Sequence, residues 1–203
     1  MQTWTDDLAS ALARARSGDE TGFGELWRQL QPRLLRYLQV LNCADPDDVA
    51  SETWLQVVRD LPTFSGGDEE FRRWLFTVGR HRAIDDVRAR LRRPTVPMPE
   101  TIAAAVPDRD LVEDQVLRSL SARQAARLLG FLPADQAEAV ALRVLAGLDT
   151  SAVAGILGKS SGAVRVALHR GLRTLAGHPA VQALANDPAV PGTARLTKEV
   201  DRG

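Results

Sequence analysis

The segment Phe71-Arg72-Arg73-Trp74-Leu75-Phe76 interleaves aromatic rings with guanidinium groups. That mixture suits single-stranded nucleic acid, since base faces stack on rings while phosphates meet cations. Phe71 and Trp74, three positions apart, are better read as core anchors on a helix, which leaves Arg72, Arg73, Arg80, Arg88 and Arg90 as candidates for backbone contact. From Phe71 to Arg93, eight arginines stand against Asp85 and Asp86 alone, a balance of +6 in 23 residues. A second stretch, Lys159 to His178, carries Lys159, Arg165, Arg170 and Arg173 and no acid. Either run alone reads as a solvated helix face; two of them, separated by the acids from Glu100 to Asp114, favour a polyanionic partner.

Other chemistries find little support. Cys43 is the sole cysteine, which excludes an internal disulfide and paired-thiolate zinc. His81, His169 and His178 lack metal-site spacing, so neither a metal nor a cofactor is expected. Asp47, Asp48 and Glu52 have no nucleophile beside them, and acids in the first turn of a helix need no catalytic explanation. No catalytic residue is assigned, and the chain is not read as an enzyme.

These groups must be held by helices, because apolar residues recur at helical spacing and sustained alternation is missing. The expected fold class is all-α. Leu8, Leu12 and Ala15 open a first helix that stops at Ser17-Gly18-Asp19. Phe23, Leu26, Trp27 and Leu30 form the next apolar stripe, interrupted at Pro32 and resumed by Leu34, Leu35, Leu38 and Leu41. Asp45-Pro46 starts a helix reaching Asp60 that buries Val49, Leu55 and Val58. After the loop Pro62 to Asp68, Glu69 or Glu70 opens a long helix to about Arg92, whose apolar stripe changes sides near Gly79, from Phe71, Trp74, Leu75 and Val78 to Ala83, Ile84, Val87 and Leu91.

Four prolines between Arg93 and Asp110 preclude a helix there and mark an extended linker. Beyond it, Pro133 starts a helix with Ala137, Val140, Ala141 and Val144 on one face. Thr150 to Leu157 makes a short one, Gly158-Lys159-Ser160 a tight turn capped by Ser160 or Ser161, and Gly162 to Ala176 a third. Short helix, glycine turn and helix are the helix-turn-helix pattern. On the third helix Val164, Leu168, Leu172 and Leu175 face the core, while Val166, His169, Arg170 and Arg173 point away with Arg165 at the edge. Such a face fits a major groove. The chain after Gly177 reads as a loose tail beyond a short helix at Ala180 to Ala185.

Length and composition fit one large domain or two small ones: 203 residues, 44% hydrophobic and 26% charged, with no apolar run long enough for a membrane span and no signal-peptide pattern. A cytoplasmic location is expected. The 26 basic residues cancel 26 acidic ones, so net charge alone argues nothing about DNA. That 24 of the basic residues are arginine is better explained by codon usage in a GC-rich genome than by phosphate binding.

In this order the segments resemble the extracytoplasmic-function sigma factors of bacterial RNA polymerase. ALARARSGDETGFGELWRQLQPRLLRYL is similar to the opening of the family's domain 2, and DPDDVASETWLQVV to its polymerase-gripping segment. FRRWLFTVGRHRAIDDVRARLRR is similar to the promoter-melting helix that reads the −10 element. LPADQAEAVALRVLAGLDTSAVAGILGKSSGAVRVALHRGLRTLA is similar to domain 4 and its −35-reading helix-turn-helix.

The resemblance implies domain 2 over 1–93, a linker over 94–113, domain 4 over 114–177 and a tail over 178–203. It implies polymerase contacts at Asp48, Val49, Ser51, Glu52, Thr53 and Trp54. It places −10 and melting contacts at Phe64, Ser65, Arg72, Arg73, Trp74, Arg80, His81 and Arg88, with the loop Thr63 to Asp68 capturing a flipped base. Contacts to −35 fall on Lys159, Ser161, Arg165, Val166, His169, Arg170 and Arg173. The implied partners are core RNA polymerase and promoter DNA, double-stranded at −35 and melted at −10, with an anti-sigma factor as a further partner and no membrane insertion.

Several positions depart from the family pattern: Ser51 for Gln, Gly79-Arg80-His81 for Ala-Arg-Asn, Ala152 for Glu, and Ala163 and Ala167 for a Thr and an Arg in the recognition helix. The last two remove polar DNA contacts and imply weaker −35 binding. A sigma-like adaptor and an ordinary helix-turn-helix regulator therefore stand as alternatives. The basic aromatic segment around Trp74 argues against the second.

Overall fold

The computed structural model describes residues 3–92, 127–179 and 181–182, with side chains from Asp7 onward. The expected linker 94–113, the start of domain 4 up to residue 126 and the tail beyond 182 lie outside the described residues. Every regular element within them is helical: α1 (Thr3–Arg16), α2 (Glu20–Val40), α3 (Pro46–Asp60), a 3-10 turn (Leu61–Thr63), α4 (Asp68–Arg92), α5 (Ala134–Val144), α6 (Thr150–Leu157) and α7 (Ser161–Ala176).

Local chemistry sets the boundaries. Asp19 caps α2 by accepting from the Thr21 amide at 2.9 Å. Asp45 caps α3 by accepting from the Asp47 and Asp48 amides, each at 3.0 Å, with Pro46 at the first helical position. The helix α2 runs through Pro32 without a break. The ring removes one amide donor on an exposed face, and the unpaired carbonyl four residues back can turn to water. At Gly22 the α1–α2 hairpin closes so tightly that a Cβ would sit 2.7 Å from Arg14 Cβ and 2.8 Å from the Ala15 nitrogen. Glycine is the residue that allows these two backbones to touch.

In the first unit α1 to α4 bury Leu8, Leu26, Leu30, Leu34, Leu38, Val57, Phe71, Leu75 and Phe76. The expected switch of stripe along α4 does not occur. Leu75, Gly79 and Ala83 stay on one buried line, and the line is continued by polar residues, Asp86 accepting from the Ala44 amide at 3.1 Å and Arg90 donating to the Asn42 carbonyl at 2.7 Å. Leu91 is exposed instead. Trp27, Leu55, Val58 and Val144, each expected in an apolar stripe, are also exposed. The stripe of α3 is formed by Val49, Ala50, Thr53, Trp54 and Val57, which leaves Leu55 and Val58 on the far side.

In the second unit α5, α6 and α7 enclose Ala137, Val140, Ala141, Leu142, Val153, Ile156, Val164 and Leu168. The two units touch, α5 against α2 and α6 against α4.

Candidate nucleic-acid interface

The helix-turn-helix is built from three short-range devices. Asp149 caps α6, accepting from the Ala152 amide at 2.7 Å and the Ser151 hydroxyl at 3.0 Å. The Ala152 amide in particular holds its carboxyl below the usual carboxylate range. Gly158 ends the helix in the left-handed region at φ 62°, a conformation glycine adopts without a Cβ penalty. Ser160 caps α7, accepting from the Ala163 amide at 3.2 Å. The cap is therefore Ser160, and Ser161 is the first helical residue.

These devices fix how α7 presents itself. Val164, Leu168 and Gly171 face inward, and a Cβ on Gly171 would meet Val140 Cγ2 at 3.0 Å, so α5 and α7 cross closely there. Ser161, Arg165, Val166, His169, Arg170 and Arg173 are all exposed along the outer face. The width of a major groove admits an α-helix bearing arginines on its open side. Lys159 is exposed at the turn, its ammonium 2.6 Å from Asp135 in a surface ion pair. Ala163 is exposed, whereas Ala167 is half-buried, so only the first sits squarely on the surface.

The long helix α4 presents Arg73, His81 and Arg88 along one exposed line, with Arg88 3.8 Å from Asp85. Arg80 lies at the edge of the same line but is not open to solvent to the same degree. Its Nε donates at 2.8 Å to Glu138 Oε1 on α5, and the Tyr37 hydroxyl donates to the same oxygen at 3.0 Å. Burial works against the Arg80 charge, and the bond and opposite charge of Glu138 outweigh it, leaving its pKa above the ordinary value. Burial first, and the Glu138 carboxylate second, push the Tyr37 hydroxyl well above the usual range.

Arg72, expected at the DNA, is buried at 4% exposure. It donates to Asp68 Oδ2 at 3.1 Å and to the Gly147 carbonyl at 3.2 Å, across the seam between the units. A desolvated guanidinium so engaged is a structural group in this state. Phe64 stacks on Trp74 with ring centroids 5.1 Å apart and also meets Phe71 edge-on at 5.6 Å. Ser65 is exposed in the loop that follows.

On α3, Val49, Thr53 and Trp54 are buried, so their side chains are not available to a partner. Trp54 Nε1 donates to Gln31 at 2.6 Å, and the Thr53 hydroxyl to the Val49 carbonyl at 2.7 Å. The open face of α3 carries Asp48, Ser51, Glu52, Leu55 and Val58. Two apolar residues three apart on an exposed acidic helix are a contact signal that the sequence reading assigned to the core. It also gave no role to Tyr37 or Glu138. The one available cue was a lone tyrosine in a leucine stripe, whose buried hydroxyl requires a partner.

Comparison with known proteins agrees with this arrangement. The family described as "Sigma-70 region 2" matches residues 26–93, and "Sigma-70, region 4" matches residues 122–175. "ECF RNA polymerase sigma factor BldN" of Streptomyces coelicolor is 34% identical over 171 residues, covering 83% of this chain, which spans 64% of that relative's length. "ECF RNA polymerase sigma factor ShbA" of Streptomyces griseus is 33% identical over 180 residues, covering 84% of this chain and 94% of the relative. Among solved structures, CnrH in complex with the cytosolic domain of CnrY shares the fold at a TM-score of 0.57 and 23% identity, over 89% of this chain and 99% of that one. Two sigma regions in order, carried on the helices just described, lead to one assignment: the chain belongs to the ECF RNA polymerase sigma factors.

Proposed function

We propose that this chain binds core RNA polymerase, directs it to specific promoters and promotes melting there, in the cytoplasm and without a catalytic centre of its own. The observation that carries this reading is the outer face of α7, where Arg165, Val166, His169, Arg170 and Arg173 are exposed together on the second helix of a helix-turn-helix. In this reading that face takes the −35 duplex, with Ser161 at the helix start contacting backbone through the amino-terminal end. The −10 strand takes the α4 line of Arg73, His81 and Arg88, joined by Arg80, with Phe64, Ser65 and Trp74 at the base-capturing loop. The open face of α3, Asp48, Ser51 and Glu52 together with Leu55 and Val58, takes the polymerase.

The proposed division is domain 2 to residue 93, linker to 113 and domain 4 to 177. An anti-sigma partner is part of the proposal, supported by the CnrH likeness, since CnrH is held by the cytosolic domain of CnrY. Among the described residues no helix is long and apolar enough to cross a membrane.

A run-off transcription assay with core polymerase on genomic promoter fragments tests the reading. Promoter-dependent transcripts are expected. Normal core binding without them would favour the adaptor reading, for which exposed Ala163 in place of a hydroxyl is the specific support.

A further inference from the structure

Glu138 lies on α5 of the second unit, yet its Oε1 accepts from two groups of the first, Arg80 Nε at 2.8 Å and the Tyr37 hydroxyl at 3.0 Å. Tyr37 is fully buried in this closed arrangement, its ring set edge-on against Phe76 at 5.5 Å, and its hydroxyl serves as the second donor. About two turns earlier on α4, Arg72 reaches the Gly147 carbonyl at 3.2 Å, a second polar tie across the same seam. The outer face of α7 takes no part in either tie. This arrangement therefore leaves one proposed DNA surface open and occupies the edge of the other.

Geometry adds a constraint. Elements centred near −10 and −35 are about 25 base pairs apart, roughly 85 Å of duplex at about 34 Å per ten base pairs. A compact body of about 145 residues has a radius of gyration of only about 15 Å. With its units in contact, the chain cannot set α4 and α7 on both elements at once. The two units must part for full promoter reading, and parting them breaks the Glu138 bonds.

We propose that Glu138 is an internal competitor of the DNA phosphate for Arg80, so that the closed chain is poised against single-strand binding until the two units separate. The proposal rests on the reading that α4 meets DNA. A carboxylate oxygen accepting from a guanidinium occupies the place a phosphate oxygen would take, with the same charge sign and the same donor. Apparent affinity scales with the fraction of open chain, so a chain closed nine times in ten binds about tenfold more weakly than its open form.

The test uses the full chain, with Glu138→Ala and the more conservative Glu138→Gln. Folding is checked by circular dichroism, the radius of gyration by small-angle X-ray scattering, and binding by anisotropy of a fluorescein-labelled twelve-nucleotide oligothymidylate. Both variants are expected to expand, and E138A to bind about three- to tenfold more tightly. The gain is expected to vanish when Arg80→Ala is added.

Folded variants that stay as compact as the parent would overturn the proposal, as would expansion with unchanged affinity or a gain that survives loss of Arg80. Failure of the functional reading looks different: holoenzyme containing either the parent chain or E138A would then give no promoter-dependent run-off transcript, whatever the scattering shows.

Discussion

Phe64 lies nearly flat on Trp74, the ring planes 19° from parallel, and this stack ties the loop before α4 to the helix that follows it. Phe71, fully buried, meets both rings edge-on. An aromatic contact adds about 0.5–1.5 kcal/mol beyond its buried area. Phe64→Leu, which keeps apolar volume and loses the ring, is therefore expected to cost about 1 kcal/mol. Urea unfolding followed by circular dichroism measures it, and an unchanged midpoint would show that the loop is anchored by something else.

Two glycines two residues apart on α2 are expected to respond with opposite signs. A Cβ at Gly22 would meet backbone and Cβ atoms of α1 at 2.7 and 2.8 Å, whereas one at Gly24 meets only the Arg28 guanidinium end at 3.4 Å. Alanine gains about 1 kcal/mol of helix propensity at either site. At Gly22 overpacking of about 1–3 kcal/mol, against atoms that cannot step aside, outweighs that gain. Thermal unfolding should place Gly24→Ala above the parent and Gly22→Ala below it. The reverse order would mean that the α1–α2 hairpin is looser than described.

The helical pattern, the Asp45-Pro46 start and the Gly158-Lys159-Ser160 turn were legible in the sequence because each is set by neighbours within four positions. The outward set of α7 was legible for the same reason: one period decides which side Val164 and Leu168 take. The face of α3 was misread because apolar type stood in for burial. Ala50 and Thr53 lie on the buried line although they are small or polar, and Leu55 and Val58 are large but lie off it. The ties of Arg72 to Gly147 and of Arg80 and Tyr37 to Glu138 could not be read at all. They join residues 58 to 101 positions apart, and their existence depends on how the two units meet.

Cys43 is expected to be a sluggish thiol. Burial, and then the Asp86 carboxylate, push its pKa from 9.0 up to about 11, with Arg90 opposing. The folded state thus favours the protonated thiol. Its contribution to stability is complete below about pH 9 and is lost as pH rises from there through about 11. At pH 8 the thiolate fraction falls about 100-fold relative to the unfolded chain, and the greater nucleophilicity of a more basic thiolate restores roughly tenfold of that. Reaction with an aromatic disulfide reagent at that pH should run at least about tenfold slower in the native protein than in urea. It should also keep rising with pH after the unfolded chain has levelled off. Equal rates in the two states would show that the thiol is not held protonated by the fold.

Arg170 and Val166 share the outer face of α7 and should be separable by salt. A phosphate contact releases counterions, so each one adds about 0.9 to the slope of log affinity against log salt concentration. Holoenzyme carrying Arg170→Ala, titrated with promoter duplex between about 50 and 200 mM salt, is expected to bind more weakly with a slope smaller by about that amount. Val166→Ala carries no charge change, and in the proposed docking its exposed methyls meet a base edge. It should leave the slope intact and relax preference among −35 sequences by about 1 kcal/mol or more. If R170A leaves both slope and affinity unchanged, that side of α7 faces away from the duplex. A changed slope for V166A would mean that the helix docks in a different orientation.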